Sequence, residues 1–300
     1  MNQSMLAKLL AGLPLGSLRY FDSLGSTNEV AARWAEGGAP DLSLVVADEQ
    51  TAGRGRSGRR WYTPAGSALA FSLILWLQEW LPSAPAAAGN GNCQIWAEGS
   101  SPNCALTRLS ALGALAVCEA LQQRGLLLQI KWPNDVLLMG RKVAGVLVEM
   151  QWHGEAPRTA ILGIGINVAS SSVPDEHVLT FPAISLEAVL QRSVDRWELL
   201  REVLTSVVRW RFSWMTAKFL QVWEENLAFR GEQVCILSAG ARANNQVVLE
   251  GTLMGLFPDG SLKIRTSEGE IRAVQFGELH LRPQRDEPTP DLVSRQYRSV

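Results

Sequence analysis

The sequence predicts an α+β fold, in which a mixed β-sheet carries helices packed on one face and is followed by a small β domain. Two observations lead to this prediction. Apolar, β-branched runs follow one another with few helical segments between them, at 43–50, 68–77, 127–132, 136–150 and 160–168. Strands that are neighbours in sequence favour a mixed sheet rather than a regular βαβ alternation. Beyond residue 229 the pattern changes to short alternating runs separated by Gly and Asn turns.

Length and composition bound the possible functions. The 300 residues are 47% apolar and 19% charged, with a formal net charge of −1, enough for one large domain and a small appendage. An almost neutral chain lacks the excess of positive charge that is typical of general DNA-binding proteins. No uninterrupted apolar run of membrane-spanning length occurs, and the N-terminus lacks a signal-peptide pattern. We therefore expect a cytoplasmic protein that binds neither DNA nor membranes.

Cysteine and histidine spacing argues against zinc and hydrolase chemistry. The cysteines at 93, 104, 118 and 235 form no C-x-x-C motif, and the three histidines are scattered, so the spacing of a zinc site is absent. Cys93 and Cys104 could pair across a loop, but a cytoplasmic chain would keep them reduced. No G-x-S-x-G or other triad signature is present.

The first helical signals lie close to the N-terminus. Residues 1–19 form an apolar, helix-prone leader. Ser26–Glu29 fits a capping box, in which the Ser26 hydroxyl accepts from the third helical amide and Glu29 reaches back. The helix that follows is expected to run to Glu36 and to end at Gly37–Gly38. Read alone, Ser-Thr-Asn at this position is no more than a helix cap.

The middle of the chain alternates between loops and regular elements. Residues 81–103 are rich in Pro, Ala, Gly and Asn and are predicted to form a loop insertion. Apolar residues between 106 and 121 recur at helical spacing, and Gly125 ends that helix. Val136–Met139 and Val143–Met150 predict a hairpin with its turn at Gly140–Arg141.

Two further regions complete the predicted architecture. Residues 185–229 have helical periodicity with several tryptophans, which is typical of helices packed on a sheet. Between 230 and 283, five short runs and the turn signal Pro258–Gly260 predict a small barrel of SH3-like size. The polar tail, 284–300, is predicted to be disordered.

The most informative stretch is a loop rich in glycine and arginine that follows the strand at 43–50. It contains Gly53, Gly55 and Gly58, together with arginines at positions 54, 56, 59 and 60. Glycines let the backbone approach a ligand and form anion-binding nests, and arginine adds a planar fork that matches carboxylate or phosphate oxygens. A solvated surface turn and a nucleic-acid contact remain alternatives. The dinucleotide fingerprint G-x-G-x-x-G is excluded by context, because a strand and not a helix follows.

Four segments, in this order, resemble the motifs of the biotin protein ligases: Gly25–Asn28, Gln50–Trp61, Lys131–Asp135 continuing through Arg141–Gly145, and Gly163–Asn167. The combination of Gly-Arg-Gly-Arg-x-Gly-Arg-x-Trp with Lys-Trp-Pro-Asn-Asp is specific. The resemblance covers about residues 20–283. It implies a catalytic domain of class II synthetase-like fold at 20–229, an SH3-like β domain at 230–283, and no room for an N-terminal DNA-binding domain within the 1–19 leader.

The resemblance also implies an activity. Such enzymes use ATP to convert biotin to biotinoyl-5′-AMP with release of pyrophosphate. They then transfer the biotin to a lysine of the biotin carboxyl carrier domain of acetyl-CoA carboxylase. ATP and biotin are therefore the expected substrates, with Mg²⁺ held mainly by the phosphates. A lipoate or octanoate protein ligase and a non-catalytic biotin-sensing regulator remain alternatives, and the sequence leaves open whether the chain is a monomer or a homodimer.

The roles expected for individual residues follow from the resemblance alone. The expected catalytic residues are Lys131, between the biotin carboxylate and the α-phosphate, and Arg56 in the closing loop. Biotin-binding positions are Ser26, Thr27, Asn28, Gln50, Gly53, Arg54, Gly55, Arg56, Lys131 and Gly145. ATP-binding positions are Arg56, Arg59, Trp61, Asn134, Asp135, Lys142 and Asn167. Trp61 is the expected neighbour of adenine, Asp135 is a candidate Mg²⁺ ligand, and the glycines at 145, 163 and 165 are expected to matter as absent side chains. Read alone, a lysine at a strand end is a solvated charge.

Overall fold

The computed structural model describes residues 1–80, 102–154, 156–238, 246–275 and 279–283. Most of the predicted 81–103 insertion, Cys93 with its pairing to Cys104, and the predicted disordered tail at 284–300 lie outside these residues. The described part consists of a large sheet with helices and a smaller, separate sheet formed by the C-terminal strands.

The large sheet has seven strands in the order β1-β2-β3-β7-β6-β5-β4. Their bounds are β1 Leu18–Leu24, β2 Ser43–Gln50, β3 Ala68–Trp76, β4 Leu128–Lys131, β5 Asp135–Leu138, β6 Arg141–His153 and β7 Ala156–Asn167. Only β1 and β2 pair in parallel; the other neighbours are antiparallel. The prediction of a mixed sheet is confirmed.

Helices cover both faces of this sheet, so the expectation of helices on one face is wrong. The helices are α1 Gln3–Leu9, α2 Thr27–Glu36, α3 Leu77–Trp80, α4 Pro102–Gln122, α5 Leu186–Leu190, α6 Arg196–Trp210 and α7 Ala217–Glu225. Leu44 and Leu73 belong to the main core with α4 and α6, whereas Val45 and Ile74 belong to a second core with α2. Successive residues of a strand point to opposite faces of the sheet. Apolar residues at consecutive positions are therefore buried only because helices cover both faces.

The long helix α4 is the centre of the main core. It packs on β4 to β7 and on α6. Among the described residues, the window Cys104–Gln122 is long and apolar enough to cross a membrane by length and composition, yet 89% of it is buried inside the protein. A Cβ at Gly113 would lie 2.9 Å from Val146 Cγ1, so this glycine lets helix and sheet approach closely.

The predicted capping box at Ser26 does not form. Ser26 is the N-cap residue of α2 but makes no side-chain capping hydrogen bond. The Thr27 amide instead donates to Gln50 Oε1 at 2.8 Å, and Glu29 lies 3.6 Å from Arg33 in an exposed ion pair. A side chain from a neighbouring strand thus satisfies a helix amide that the local motif was expected to satisfy. The predicted end of the helix is confirmed, with Gly37 as its C-cap.

The hairpin turn lies one residue earlier than predicted. Met139 and Gly140 have φ of 53° and 72°, and Leu138 pairs with Arg141 across them. Two consecutive positive φ angles match the twist of a tight two-residue hairpin. Arg141 consequently begins β6 rather than forming part of the turn.

The C-terminal strands form their own antiparallel sheet of five strands in the order β11-β10-β9-β8-β12. Their bounds are β8 Gln233–Ser238, β9 Val247–Leu256, β10 Leu262–Arg265, β11 Ile271–Val274 and β12 Leu279–Pro283. The apolar residues of this sheet, such as Ile236 and Leu253, join the same core cluster as α4 and α7. A small C-terminal β unit was therefore correctly predicted.

Candidate active site

A cavity of about 750 Å³ opens over the glycine-containing strands of the large sheet. It brings together residues that are far apart in sequence. The predicted site residues that line it are Ser26, Thr27, Asn28, Gln50, Arg54, Gly55, Arg56, Arg59, Trp61, Lys131, Asn134, Asp135, Lys142, Gly145 and Asn167. Gly53 is the one predicted position that is not among the lining residues.

One end of the cavity is a neutral hydrogen-bonding network. Gln50 Oε1 accepts from both the amide and the hydroxyl of Thr27, at 2.8 and 3.1 Å. Gln50 Nε2 donates to Thr63 Oγ1 at 3.2 Å, and Ser72 Oγ lies 2.8 Å from Thr27 Oγ1. Ser26 is buried beside them. This end offers uncharged donors and acceptors in fixed positions, which suits a polar but uncharged group.

Asn28 is wedged against the floor of the cavity. Its Oδ1 accepts from Ser72 Oγ at 2.6 Å, and its Nδ2 donates to Glu149 Oε2 at 2.7 Å. A Cβ at Gly163 would lie 2.0 Å from Asn28 Oδ1. Position 163 must therefore be glycine, because the Asn28 amide occupies the space that a side chain would need. The amide itself has few donors and acceptors left for a ligand.

The arginine loop folds back on itself over the cavity. The Gly55 amide donates to the Arg59 carbonyl at 2.7 Å, and Ser57 and Gly58 turn the chain with φ of 55° and 73°. Arg56 Nη1 donates to Asn134 Oδ1 at 3.2 Å. Burial, reinforced by Arg59 and opposed by Asp135, lowers the pKa of Arg56 to about 10. The guanidinium therefore remains cationic at neutral pH.

Gly53 has a structural position at the base of this loop. A Cβ there would lie 2.3 Å from the Trp61 carbonyl oxygen and 3.1 Å from Gln50 Nε2. The Trp61 amide donates to the Gly53 carbonyl at 2.9 Å. The missing side chain lets the two arms of the loop approach each other.

A second part of the cavity lining is a cationic corner at the junction of β4, β5 and β6. Lys131 is only 4% exposed, so its reading as a solvated strand-end charge is wrong. Its Nζ lies 3.5 Å from Asp135 Oδ2, and Lys142 Nζ lies 2.6 Å from Asp135 Oδ1. Burial opposes ionisation of Asp135, but Lys142 and Lys131 outweigh it and hold its pKa well below the usual range. Two ammonium groups against one carboxylate leave a net positive charge facing the cavity.

Trp61 lies across the glycines of the sheet. A Cβ at Gly165 would lie 2.4 Å from the Trp61 indole, and one at Gly145 would lie 3.2 Å from it. Lys142 Nζ is 5.3 Å from the ring centroid. The buried indole Nε1 has no hydrogen-bond partner among the described residues. Glycines 145, 163 and 165 thus provide a floor from which side chains are absent.

Asn134 and Asn167 direct their amides mainly at backbone groups. Asn134 Nδ2 donates to the Val146 carbonyl at 2.7 Å. Asn167 Nδ2 donates to the Ile184 carbonyl at 3.2 Å. Both asparagines therefore tie separate segments of the cavity wall together, which is a positioning role in addition to any contact with a ligand.

Several lining or supporting residues were not predicted from the sequence. Glu149 bonds Arg54 Nη2 at 2.6 Å as well as Asn28, and the Phe181 ring centroid lies 4.7 Å from Lys131 Nζ. Residues 172–183 supply a further wall. Glu149 could have been found from the sequence, because it is a charged residue near the end of the apolar run that begins at Val143. No sequence pattern pointed to Phe181 or its segment.

The comparisons with known proteins agree with this geometry. The chain matches the family described as the biotin/lipoate A/B protein ligase family at residues 20–88 and 95–167. It is 32% identical over 270 residues to the bifunctional ligase/repressor BirA of Bacillus subtilis, covering 88% of this chain and 74% of that protein. It is 33% identical over 256 residues to the biotin–[acetyl-CoA-carboxylase] ligase of Paracoccus denitrificans, covering 81% of this chain and 92% of that protein.

A solved structure extends the similarity to the fold. The biotin protein ligase from Aquifex aeolicus in complex with biotin and ATP superposes with a TM-score of 0.69 at 29% identity, covering 89% of this chain and 99% of that chain. The match thus spans most of the chain. The chain belongs to the biotin/lipoate A/B protein ligase family, among its biotin protein ligases.

Proposed function

We propose that this protein uses ATP to convert biotin to biotinoyl-5′-AMP and then transfers the biotin to a lysine of the biotin carboxyl carrier domain of acetyl-CoA carboxylase. One observation carries the proposal: a single cavity joins a neutral hydrogen-bonding pocket to a buried cationic corner built on Lys131 and Lys142. Biotin has the same two-part chemistry, with an uncharged ureido head and a carboxylate at the end of an aliphatic chain.

The neutral end of the cavity is proposed to bind the ureido head. Ser26, Thr27 and Gln50 supply hydroxyl and amide groups there. The hydrogen bonds from Thr27 to Gln50 orient these groups before any ligand arrives. Such prior ordering reduces the entropic cost of binding.

The cationic end is proposed to carry out adenylation. A carboxylate oxygen of biotin attacks the α-phosphorus of ATP, a P–O bond to pyrophosphate breaks, and an acyl-phosphate bond forms. Negative charge accumulates on the phosphoryl oxygens during this step, and positioned cations stabilise such charge more than they stabilise the ground state. Lys131 is the proposed bridge between the two anionic groups, and Arg56 is the proposed cation on the loop side.

The second step needs protection from water rather than further activation. The amine of the acceptor lysine attacks the acyl carbon, AMP leaves with the bonding electron pair, and the amine releases a proton. AMP is a good leaving group, so the adenylate is also susceptible to hydrolysis. Closure of the loop around Arg54, Gly55 and Arg56 is proposed to retain the intermediate until the acceptor binds.

The nucleotide is proposed to lie beside Trp61, which itself covers Gly145 and Gly165. Trp61 is the proposed neighbour of adenine. The residues proposed to surround the rest of the nucleotide are Arg59, Asn134, Asp135, Lys142 and Asn167. The position of Trp61 in the cavity lining and the positive charge of Lys142 support this arrangement.

The side chains present do not fit a Mg²⁺ ion held by the protein. Both carboxylate oxygens of Asp135 already face ammonium groups, at 2.6 and 3.5 Å. We therefore assign no step to an Asp135-bound ion, and Mg²⁺ enters the proposal only as the counter-ion of the ATP phosphates.

We also propose the finer features of the architecture that the resemblance implies. The five-stranded C-terminal sheet is proposed to be an SH3-like domain within 230–283, with the catalytic domain at 20–229. The protein is proposed to act in the cytoplasm without binding DNA. Monomer and homodimer are both compatible with the proposed chemistry.

Isotope exchange between pyrophosphate and ATP tests the first half-reaction. Exchange that requires both biotin and Mg²⁺ is the expected result, with lipoate as the control acid. Exchange with lipoate alone would assign the chain to lipoate activation. Absence of exchange with either acid would identify a sensor or an inactive relative.

A further inference from the structure

The strand that presents Lys131 has little support from the large sheet. β4 is a four-residue strand at the end of the sheet order, and within the sheet it pairs with β5 alone. Lys131 is its last residue. Further backbone contacts come from outside the sheet, where the Ile130 amide donates to the Asn226 carbonyl at 2.7 Å. Asp135 holds the Lys131 ammonium at 3.5 Å, and the position of the Lys131 backbone also depends on what holds the chain immediately after it.

The next residue is anchored in the C-terminal sheet. Trp132 is 1% exposed, and its Nε1 donates to the Gly260 carbonyl at 3.0 Å. Gly260 closes the turn between β9 and β10, the Pro258–Gly260 turn. This turn was evident in the sequence, but the proposed chemistry assigns it no role.

The Pro258–Gly260 turn is internally rigid. The Gly260 amide donates to the Phe257 carbonyl at 2.8 Å. The Ser261 amide and hydroxyl both donate to Asp259 Oδ1, at 2.9 and 2.6 Å. Gly260 has a φ of +84°, and a Cβ there would lie 2.9 Å from Trp223 Cζ3. The turn therefore offers its carbonyl to Trp132 in a well-defined position.

A buried arginine fixes the same turn to the core helix. Arg108 of α4 is 2% exposed, and its Nη2 donates to the Pro258 carbonyl at 2.5 Å. Its Nη1 donates to the Trp214 and Thr216 carbonyls between α6 and α7, at 3.1 and 3.4 Å. A buried cation is costly unless its hydrogen bonds are made, so separation of the turn from α4 is strongly opposed.

We infer that the Pro258–Gly260 turn positions Lys131 through the Trp132 indole, so that the C-terminal sheet contributes to the adenylation step. Trp132 and Gly260 are positioning residues, because they act on the lysine and not on the ligand. The inference rests on the proposed function of Lys131. A displacement of a reacting group by about 1 Å can cost on the order of 100-fold in rate, so a single buried hydrogen bond at this place can affect turnover.

The test compares two tryptophans with the same burial and the same kind of bond. Trp132→Phe removes the donor to Gly260 and keeps an aromatic ring. Trp214→Phe is the matched control, because Trp214 is also fully buried and its Nε1 donates to the Trp80 carbonyl at 2.8 Å, while its contact with Arg108 is made by the main-chain carbonyl, which the substitution keeps. Both variants should lose similar thermal stability, since each leaves one buried carbonyl without its indole donor.

Biotin-dependent pyrophosphate exchange should separate the two variants. We expect Trp132→Phe to lower kcat about tenfold, with KM for biotin changed less than about twofold, and Trp214→Phe to leave kcat near that of the unaltered chain. KM should change less than kcat, because the groups proposed for the ureido head lie around α2 and β2 and only the carboxylate of biotin is proposed to contact Lys131. Equal kcat in the two variants, or a change in KM alone, would overturn the inference.

A change on the other side of the same contact provides an independent measurement. Gly260→Ala places a methyl group against Trp223 and should lower kcat in the same way. The double variant with Trp132→Phe should be no slower than the slower single variant, because both changes break one contact. Additive losses would contradict the inference. Absence of exchange in the unaltered chain would overturn the proposed function itself, whereas an active chain with undiminished Trp132→Phe kcat would overturn only the inference.

Discussion

The two cationic regions that face the cavity are built in opposite ways. In the arginine loop, Arg54 has a half-exposed side chain (51%), and the loop is held by a few side-chain contacts such as the Arg54–Glu149 pair. In the lysine corner, Lys131 and Asp135 are buried on adjacent strands and Lys142 completes the cluster. The corner is thus fixed before a ligand binds, whereas the Arg54 side of the loop is exposed, and the loop is proposed to close over the ligand.

This difference matches the demands of the two reaction steps. Charge that develops in a transition state is best stabilised by groups that do not need to reorganise. Retention and release of an intermediate need a segment that opens and closes. Substitutions in the corner should therefore affect the rate of chemistry or the stability of the fold, and substitutions in the loop should affect retention and binding.

The largest effect is expected for Lys131→Met, which removes the ammonium and keeps most of the stem. Adenylation should fall about 1000-fold, equivalent to about 4 kcal/mol, as for loss of a positioned charge-stabilising group. The fold should persist because Asp135 keeps its 2.6 Å contact with Lys142. Single-turnover formation of the adenylate, with circular dichroism as a control for folding, measures this. Adenylation at the rate of the unaltered chain would remove Lys131 from the mechanism.

Asp135→Asn should have the next largest effect, on stability. It leaves the buried Lys131 ammonium and the partly exposed Lys142 ammonium without their carboxylate, and breaking a buried ion pair costs about 3–5 kcal/mol. Because the folded-state pKa of Asp135 is depressed, its stabilisation is present above the unfolded value of about 3.9 and is lost as pH falls below it. Urea unfolding at pH 7 and pH 3 should show a difference between Asp135→Asn and the unaltered chain that shrinks at the lower pH.

An exposed ion pair is the matched control for this measurement. Glu176→Gln breaks the pair with Arg141, which lies on the surface, and should cost less than about 1 kcal/mol. If both substitutions lowered the free energy of unfolding by the same amount, the ion pairs of the corner would stabilise the fold no more than a surface pair does.

Arg56→Ala should impair retention of the adenylate. Loss of a hydrogen bond to a charged group is worth about 1.5–3 kcal/mol, so the intermediate should leave or hydrolyse about 10- to 100-fold faster. Radiolabelled adenylate recovered with the protein after gel filtration measures this loss. Arg60→Ala is the control, because the exposed Arg60 guanidinium bonds the Thr51 carbonyl and should affect retention much less. Equal losses in both variants would show that loop charge, not the Arg56 position, retains the intermediate.

The smallest effect is expected for Glu149→Gln. Its contact with the half-exposed Arg54 is worth less than about 1 kcal/mol, so KM for biotin should rise no more than about threefold. Arg54→Ala should give a similar change, and the double variant should add little to either single variant. Additive effects would show that Glu149 acts through Asn28 instead of through the loop.

Sequence reasoning was most reliable where the determinants are local. Strands β2 and β3, the end of α2 at Gly37 and the five C-terminal strands all correspond to predicted segments. The signals involved are the alternation of apolar residues and the glycine and turn residues that end an element. Each of them acts over only a few positions. The same reasoning failed for the Ser26 capping box, because Gln50 from another strand supplied the acceptor.

Motifs and short-range periodicity in the sequence were enough to identify the family, the positions of the main strands along the chain and the residue types of the cavity. Four features became visible in the folded chain alone: helices cover both faces of the sheet, Lys131 is buried, Glu149 supports Arg54, and Trp132 bonds Gly260. The last contact joins residues separated by 128 positions. Such contacts depend on which strands become neighbours and on how two sheets dock, and no local propensity encodes either.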